Sequence, residues 1–409
     1  MTVLVNHEVG ATNGTVRAHG AAGAFVSEVV IDERTLEVVQ AGDLAHRMFL
    51  WDVDSHSYVE QADALGRLCS ADLAAPSAFY DAKTGLGTTA RILLNGEEIG
   101  VEGRALAWVA TGPEQNRVFE LPALGNTSFE NLLASPYTGA RTVVMANDDS
   151  TGGQVYERLT KLVLLAAHSE GHLFGIKASF TEDAASGTPL SGEFTLASLG
   201  DVTNLDGAEL QAASGAAGVT GWLRPEDGAW DTVNHNHYYF NTTASFDGPS
   251  RLWALDFKDA SRPELGGTFQ ALLDGTEGHK MLDNMTVSAD GTLILLEDVG
   301  NNPRAGKVWH YDPATDQLTE IAHHDVARFG DETTAATPPF TQDEESSGVL
   351  DVTDLFPHEP GQHVFLLDTQ AHYAFGVAGS PDRQEIVEGG QLKLMTVDES
   401  ALRDWHLPA

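Results

Sequence analysis

Short apolar runs in this sequence end directly on acidic side chains, and these acids are the residues best suited to chemistry. The run "TLILLED" ends at Asp298, "ARILLNGEE" at Glu98 and "TVLVNHE" at Glu8. A buried carboxylate is unfavourable unless it is paired or binds a metal. Carboxylate oxygens are hard ligands that suit Ca²⁺, Mg²⁺, Mn²⁺ and Fe³⁺. The ends of these runs therefore predict cation binding.

Three further runs have the same form, in which apolar or β-branched residues are followed at once by polar ones. They are "RTVVMANDD", "HYYFNTT" and "VFLLDTQAH", which end at Asp149, Thr243 and His372. Asp and Asn are common wherever a strand enters a turn, and this would explain any single run. Six runs of one form favour a repeated structural unit.

A second polar residue precedes five of these runs along the chain. Cys69 precedes the second run, and the third to sixth are preceded by Glu130, Glu226, Asp283 and Glu345. Each unit would then carry an acid or a thiol on one strand and polar groups at the end of the next. If the units share an axis, these groups converge.

The elements that must position these groups are predicted to be strands. Turn signals are frequent, with 41 glycines, and only three short helices are expected, around Ala62 to Leu68, Ala208 to Ala217 and Ala401 to Trp405. Short apolar runs bounded by turns are typical of an all-β protein. The repeat predicts a six-bladed β-propeller over residues 1–409, a single domain with a metal site in its central channel. We expect "TLILLED" to be the innermost strand of the fifth blade.

Charge and composition limit the possible partners. The 60 acids outnumber the 23 Lys and Arg, and the formal net charge is −37. Nucleic-acid binding needs a basic surface, so we expect none. Membrane insertion is not expected either, because the longest apolar run, "LVLLAAH" at 162–168, is too short to span a bilayer. The chain opens as if inside a strand, so we also expect that its N-terminus is truncated.

The residue types suggest a site that binds more than one kind of metal ion and promotes displacement at phosphorus. Cys69, the one cysteine, adds a soft ligand that a pure calcium site would not need; the alternative is an inert buried thiol. Several metal ions together clamp anionic oxygens in displacement at phosphorus. Arg224, two residues before Glu226, has the fork geometry for phosphate oxygens, although a surface ion pair would explain it equally well.

The ordered motifs resemble those of the PhoX-like alkaline phosphatases. They are "LVNHE", "RLCSADL", "GLGTTARILLNGEE", "SFEN", "RPEDG", "MLDNMTVSADGTLILLED", "EESSGV" and "VFLLDTQAH", and they extend over nearly the whole chain. That family consists of secreted bacterial six-bladed propellers with iron and calcium in the central channel. The resemblance implies calcium and iron as cofactors and a secreted or periplasmic location.

The resemblance also implies roles for individual residues. Cys69 matches the cysteine that bridges the irons, and Arg224 matches the arginine that holds phosphate. The implied metal ligands are Cys69, Glu98, Glu130, Glu226, Asp298 and Glu345, with Glu8, Asp148, Asp283 and His372 as additional channel residues. The neighbours depart from the family: Gly96 replaces the cysteine of a Cys-Glu-Glu segment, and Phe129 the histidine of a Ser-His-Glu segment. A divergent branch with a changed substrate, or without turnover, fits these departures.

The leading hypothesis is a metal-dependent phosphoric ester hydrolase, more a monoesterase than a diesterase. Its partner would be a small phosphorylated substrate, and we expect a monomer. Two alternatives remain open. One is another calcium-dependent hydrolase or lyase on the same propeller, and the other is a non-catalytic propeller in which calcium contributes folding energy.

Overall fold

The computed structural model describes residues 1–160, 172–184, 187–370, 372 and 390–403. The apolar run 162–168 and the end of the third predicted helix at Trp405 lie outside these residues. The chain divides into two compact units, Met1–Pro225 with Leu255–Phe269 and Glu226–Ala254 with Gln270–Ala409. A compact unit need not fold alone, so the single domain over residues 1–409 stays a prediction.

The first unit is built from antiparallel sheets. Its first sheet has the order β1-β2-β3, its second β5-β4-β11-β10-β9-β6, and its third contains β12-β13-β15-β16-β17. The strands are β1 (Thr2–His7), β2 (Phe25–Ile31), β3 (Val38–Asp43), β4 (Arg47–Asp52), β5 (Ser57–Glu60), β6 (Ala71–Asp72), β7 (Tyr80–Asp81), β8 (Leu86–Gly87), β9 (Ile92–Gly96), β10 (Ala105–Val109), β11 (Arg117–Glu120), β12 (Phe129–Ala134), β13 (Thr142–Asp148), β14 (Thr151–Gly153), β15 (Val155–Thr160), β16 (His172–Ala178), β17 (Ser191–Gly200) and β18 (Trp222–Leu223). Helix α1 (Gly207–Ala217) begins with a capping box at Asp206. One junction departs from the antiparallel pattern, since β11 pairs with β4 in parallel.

The second unit contains the strands β21-β20-β19, which end a larger sheet, and two further sheets with the orders β23-β24-β25-β26 and β27-β28-β29. The strands are β19 (Pro225–Trp230), β20 (His237–Thr242), β21 (Arg251–Phe257), β22 (Gly267–Leu273), β23 (Leu282–Val287), β24 (Leu293–Glu297), β25 (Lys307–Asp312), β26 (Gln317–His323), β27 (Glu345–Asp351), β28 (Gln362–Gln370) and β29 (Lys393–Asp398). Strands β21 and β22 have residues in both units. Two short helices follow in the chain, α2 (Val326–Phe329) and α3 (Glu399–Arg403).

Five of the six apolar runs form strands that are largely buried on both faces, whereas β1 is only partly buried. On β24, Leu293 and Leu295 pack into one core cluster, while Ile294 and Leu296 pack into another. A strand covered on both faces shows a continuous apolar run in place of an alternating one. All six predicted runs are strands, namely β1, β9, β13, β20, β24 and β28. The all-β class is thereby confirmed, while the number of blades and a central metal site stay predictions.

The position of β24 within its sheet corrects one prediction. This strand lies between β23 and β25, so it is the second strand of the sheet. The edge strand is β23, which carries Asp283. The interpretation of "TLILLED" as an innermost strand is therefore wrong, because an innermost strand must be an edge of its sheet.

The helix predictions are confirmed in part. Helix α1 agrees with the segment from Ala208 to Ala217, but the segment from Ala62 to Leu68 is not helical. Its backbone is bonded to distant residues instead, with the carbonyl of Leu65 accepting from Ala24 N at 2.8 Å. Tertiary hydrogen bonds have outweighed the local helix propensity. None of the helices among the described residues is long and apolar enough to cross a membrane.

Candidate metal centre

Four predicted residues of the first unit converge, and together they are called the thiol–acid cluster: Glu8, Cys69, Glu98 and Glu130. One ligand atom each of Glu8, Cys69 and Glu98 lies within 4.8 Å of the others, and Glu130 lies equally close to Cys69. A thiol among carboxylates offers soft and hard donors side by side, which fits iron with calcium. The four side chains come from separate parts of the chain, following β1, preceding β6, following β9 and within β12.

The segment that carries Cys69 is held from two sides. Asn6 on β1 donates from its side-chain amide to the carbonyl of Leu68 at 2.7 Å and also to that of Cys69. On the other side, Ser70 N donates to the carbonyl of Glu130 at 3.0 Å. The Ser70 hydroxyl donates in addition to the Glu130 carboxylate at 2.5 Å. These bonds fix the thiol relative to the acids before any ligand arrives.

The adjacent acids Glu97 and Glu98 have different environments. Glu97 is fully buried, and its carboxylate accepts from Gly66 N at 2.8 Å and from Arg104 at 2.5 and 3.1 Å. Arg104 also pairs with Asp63 at 2.8 Å. Because it is fully paired in this way, Glu97 is a structural anchor. Glu98 belongs to the thiol–acid cluster instead.

The same arrangement recurs in the second unit. Glu297 is fully buried and accepts from Arg304, seven residues later, through two bonds of 2.7 Å. Its carboxylate also accepts from Lys280 N and from the Trp309 indole, each at 2.9 Å. Asp298 follows it, as Glu98 follows Glu97. The sequences "EEIGVEGRA" and "EDVGNNPRA" contain the shared pattern E-[ED]-[IV]-G-x-x-x-R-A, and this repeat was the signal that could have identified the anchors.

Burial makes the charge of Glu98 unfavourable. Burial is the largest cause that raises the pKa of Glu98; Arg67 lowers it, and the nearby carboxylates of Glu130, Asp149 and Glu8 raise it, with a net pKa of about 9. A bound cation acts in the opposite direction, because it favours the ionised form. A bound metal ion would therefore stabilise the ionised carboxylates of the thiol–acid cluster.

Arg224, the predicted phosphate-binding residue, is held by Asp149. Its Nε and Nη2 atoms donate to the two oxygens of Asp149 at 2.8 and 2.7 Å. Arg224 has a backbone φ of 60°, the left-handed region that non-glycine residues rarely adopt. The Asp149 side chain is buried, while a third of the Arg224 side chain is exposed. Asp149 thus fixes one edge of the guanidinium.

The neighbouring acid, Asp148, is bound within the protein. Its carboxylate accepts from the Gln211 amide of helix α1 at 3.0 Å and from Gln154 N at 3.4 Å. Burial raises its pKa, although hydrogen bonds from Thr127 and Gln211 oppose the shift. Helix α1 therefore supports the end of β13 from which Asp149 extends.

The remaining predicted residues belong to the second unit. Glu226, Asp283 and Glu345 lie on β19, β23 and β27, each of which is the edge strand of its sheet in this unit. Asn241 donates to the carbonyl of Asp283 at 2.9 Å, and Gly348 N donates to the side chain of Asn284 at 3.3 Å. These bonds link the three sheets close to the acids.

Asp298 and His372 are placed by local hydrogen bonds. Asp298 accepts from Gly300 N at 2.9 Å. His372 N donates to Glu344 at 3.2 Å, and its ring contacts Gln370, the strand partner of Glu345, at 2.9 Å. Within the described part of the chain, no group of three mutually close ligand atoms includes Asp148, Glu226, Asp298, Glu345 or His372.

Comparison with solved structures identifies the fold. PhoX from Pseudomonas fluorescens, in complex with the transition-state analogue vanadate, matches with a TM-score of 0.64 and 13% identity over 98% of this chain and 86% of that one. The chain has the fold of PhoX. Its predicted resemblance to the PhoX-like phosphatases is therefore confirmed at the level of the fold.

Two further likenesses are weaker. A putative 6-phosphogluconolactonase from Bacteroides fragilis has a TM-score of 0.39 and 10% identity, and covers 97% of this chain and 96% of that one. A second, from Bacteroides uniformis, has a TM-score of 0.37 and 10% identity, with 97% of both chains covered. No protein-family model and no curated protein matches the sequence.

Proposed function

We propose that this protein is a metal-dependent phosphoric ester hydrolase, a phosphatase that acts on small phosphate monoesters. The observation that carries the proposal is the thiol–acid cluster, since three carboxylates lie within a few ångströms of one thiol in a chain with the PhoX fold. Calcium and iron are the cofactors that fit these donors. We further propose a monomer in a secreted or periplasmic setting.

The chain's own residues have distinct roles in this proposal. Glu8, Cys69, Glu98 and Glu130 would hold the metal ions, which supply positive charge to phosphoryl oxygens and lower the pKa of bound water. Arg224, whose guanidinium Asp149 orients, would bind nonbridging oxygens. Glu226, Asp283, Asp298, Glu345 and His372 are proposed as metal-binding residues of the second unit.

The proposed reaction is an ordinary hydrolysis of a phosphate ester. A water-derived oxygen bonds to phosphorus while the bond from phosphorus to the ester oxygen breaks. The ester oxygen takes up a proton and leaves as the alcohol, with phosphate as the other product. Arg224 stabilises charge on the oxygens that do not react, and such stabilisation is often a large part of catalysis.

Hydrolysis of a chromogenic phosphate monoester by the purified protein tests the proposal, together with elemental analysis of the same sample. We expect activity that a chelator abolishes and that calcium and iron restore. Glu130→Gln should lose metal and activity together, because it removes one charged ligand while preserving shape. Glu120→Gln is the matched control, since Glu120 lies outside the cluster and accepts from Trp51 N at 2.9 Å.

Two results would contradict the proposal. Full activity in a sample without metal would exclude the metal-dependent chemistry. Bound metal without hydrolysis of any phosphate ester would instead favour the other hydrolases and lyases or the non-catalytic calcium-binding propeller.

A further inference from the structure

Arg67 lies among the acids of the thiol–acid cluster. Its Nε atom is 2.9 Å from Glu98 Oε2 and 3.3 Å from Glu8 Oε2. These two carboxylates and the Cys69 thiol form one group of mutually close ligand atoms. The chain therefore places a positive charge of its own between two of the proposed metal ligands.

The three side chains differ in their exposure to solvent. Glu8 and Glu98 are only 9% and 11% exposed, whereas Arg67 is 48% exposed. Two adjacent carboxylates shielded from water repel each other and need a nearby cation. An arginine remains protonated at any ordinary pH, so this cation is permanent.

The backbone fixes Arg67 in this place. Glu98 N donates to the carbonyl of Arg67 at 2.8 Å, so the two residues are joined through the main chain as well as through their side chains. The preceding residue, Gly66, donates to the buried anchor Glu97 at 2.8 Å. These backbone hydrogen bonds thus hold the Arg67 guanidinium next to Glu8 and Glu98.

We propose that Arg67 is a built-in cation of the metal cage and takes the place of one divalent ion between Glu8 and Glu98. The protein then binds one ion fewer than its acids would otherwise hold. The inference rests on the proposed function, in which the thiol–acid cluster binds metal ions. It concerns the number of ions bound and not the reaction. It predicts that removal of the Arg67 charge opens a new site for a divalent cation.

Counting bound calcium tests the inference. Wild type, Arg67→Gln and Arg67→Lys are dialysed to equilibrium against the same calcium concentration, and calcium and iron per chain are measured by elemental analysis. We expect Arg67→Gln to bind one more calcium ion per chain than wild type. We expect Arg67→Lys to keep the wild-type number, because it retains the charge. Arg47→Gln is the control, since Arg47 forms an exposed pair with Glu60.

Thermal unfolding supplies a second readout and a check on folding. Calcium should raise the midpoint temperature of Arg67→Gln by several degrees more than that of wild type, because an added ion binds the folded state. The double variant Glu8→Gln with Arg67→Gln should lose both the extra ion and the extra shift.

The opposite results would overturn the inference. An unchanged calcium count in folded Arg67→Gln means that metal and guanidinium coexist, or that Arg67 swings into solvent when metal binds. A gain of one ion in Arg67→Lys means that the positive charge is not what excludes it. These counts do not depend on hydrolysis, so a protein without phosphatase activity can still satisfy them.

Discussion

Arg224 and Asp149 form a two-pronged ion pair in which Nε and Nη2 of the arginine lie 2.8 and 2.7 Å from the two carboxylate oxygens. The pair holds the guanidinium plane while the backbone of Arg224 is in the left-handed region, at a φ of 60°. Such strain persists where the surrounding structure enforces it, often at functional sites. Asp149 is therefore a positioning residue for the proposed phosphate-binding group.

Asp149→Asn should weaken phosphate binding. The asparagine side chain has one acceptor oxygen, so it can accept from only one of the two Arg224 nitrogens that now donate to Asp149. We expect about a tenfold loss of affinity for inorganic phosphate or vanadate, equivalent to about 1.4 kcal/mol. Isothermal titration of metal-loaded protein measures this loss. The matched control is Asp259→Asn, in an exposed aspartate–arginine pair with Arg262. Unchanged phosphate affinity in Asp149→Asn would show that Asp149 does not position Arg224.

Glu97→Gln and Glu98→Gln should separate folding from metal binding. Removing the Glu97 charge leaves Arg104 buried without its main partner and should destabilise the protein by about 3 kcal/mol. Glu98→Gln should cost little in a chelator, because the charge of Glu98 is unfavourable where it is buried. Urea unfolding in a chelator measures both free energies of unfolding, and elemental analysis should find metal loss in folded Glu98→Gln. Equal destabilisation by both substitutions would contradict this division.

Gly96→Ala should disturb the cluster through the backbone. A Cβ at residue 96 would meet Phe129 Cβ at 2.4 Å, so the added methyl group must push β9 away from β12. We expect a destabilisation of about 2 kcal/mol, typical of overpacking, and weaker metal binding because Glu98 moves from Glu130. Gly42→Ala is the control, since a Cβ there meets nothing within 4 Å. Wild-type metal affinity in Gly96→Ala would show that the strand spacing does not set the site.

Asp231 should make the free energy of unfolding depend on pH in the acidic range. Burial would raise its pKa, but hydrogen bonds involving His237, Val233, Tyr239 and Asn234 outweigh burial and lower the pKa to about 2. Since this pKa lies below 3.8, the ordinary value for an aspartate, the carboxylate stabilises the folded state above about pH 4. That contribution, about 2 kcal/mol, is lost as the pH falls from 4 towards 2.

The measurement is urea unfolding of wild type and Asp231→Asn at a series of pH values. The difference in unfolding free energy should be largest near pH 5 and shrink steadily below pH 4. A difference that stays constant over this range would show that the ionised Asp231 carboxylate is not the source of the stabilisation.

Sequence patterns predicted the strands well because the runs are short, apolar and bounded by turns. They also brought out Cys69, Glu98 and Glu130, since each is a polar residue placed next to a buried strand. The anchoring roles of Glu97 and Glu297 were missed, because only a comparison of the two copies of E-[ED]-[IV]-G-x-x-x-R-A links each first acid to its arginine. Arg67 was missed for a related reason, since its partners Glu8 and Glu98 are far from it in the chain and meet it only through the sheet.

The paired acids have a consequence for how this scaffold can change. In each copy of the repeat the first acid holds the fold together through its arginine, and the second has no part in that pair. Substitutions at Glu98 or Asp298 can therefore accumulate without unfolding the chain, provided that Glu97 and Glu297 stay. Exchange of the second acids should therefore change the proposed metal preference while the anchors keep the architecture.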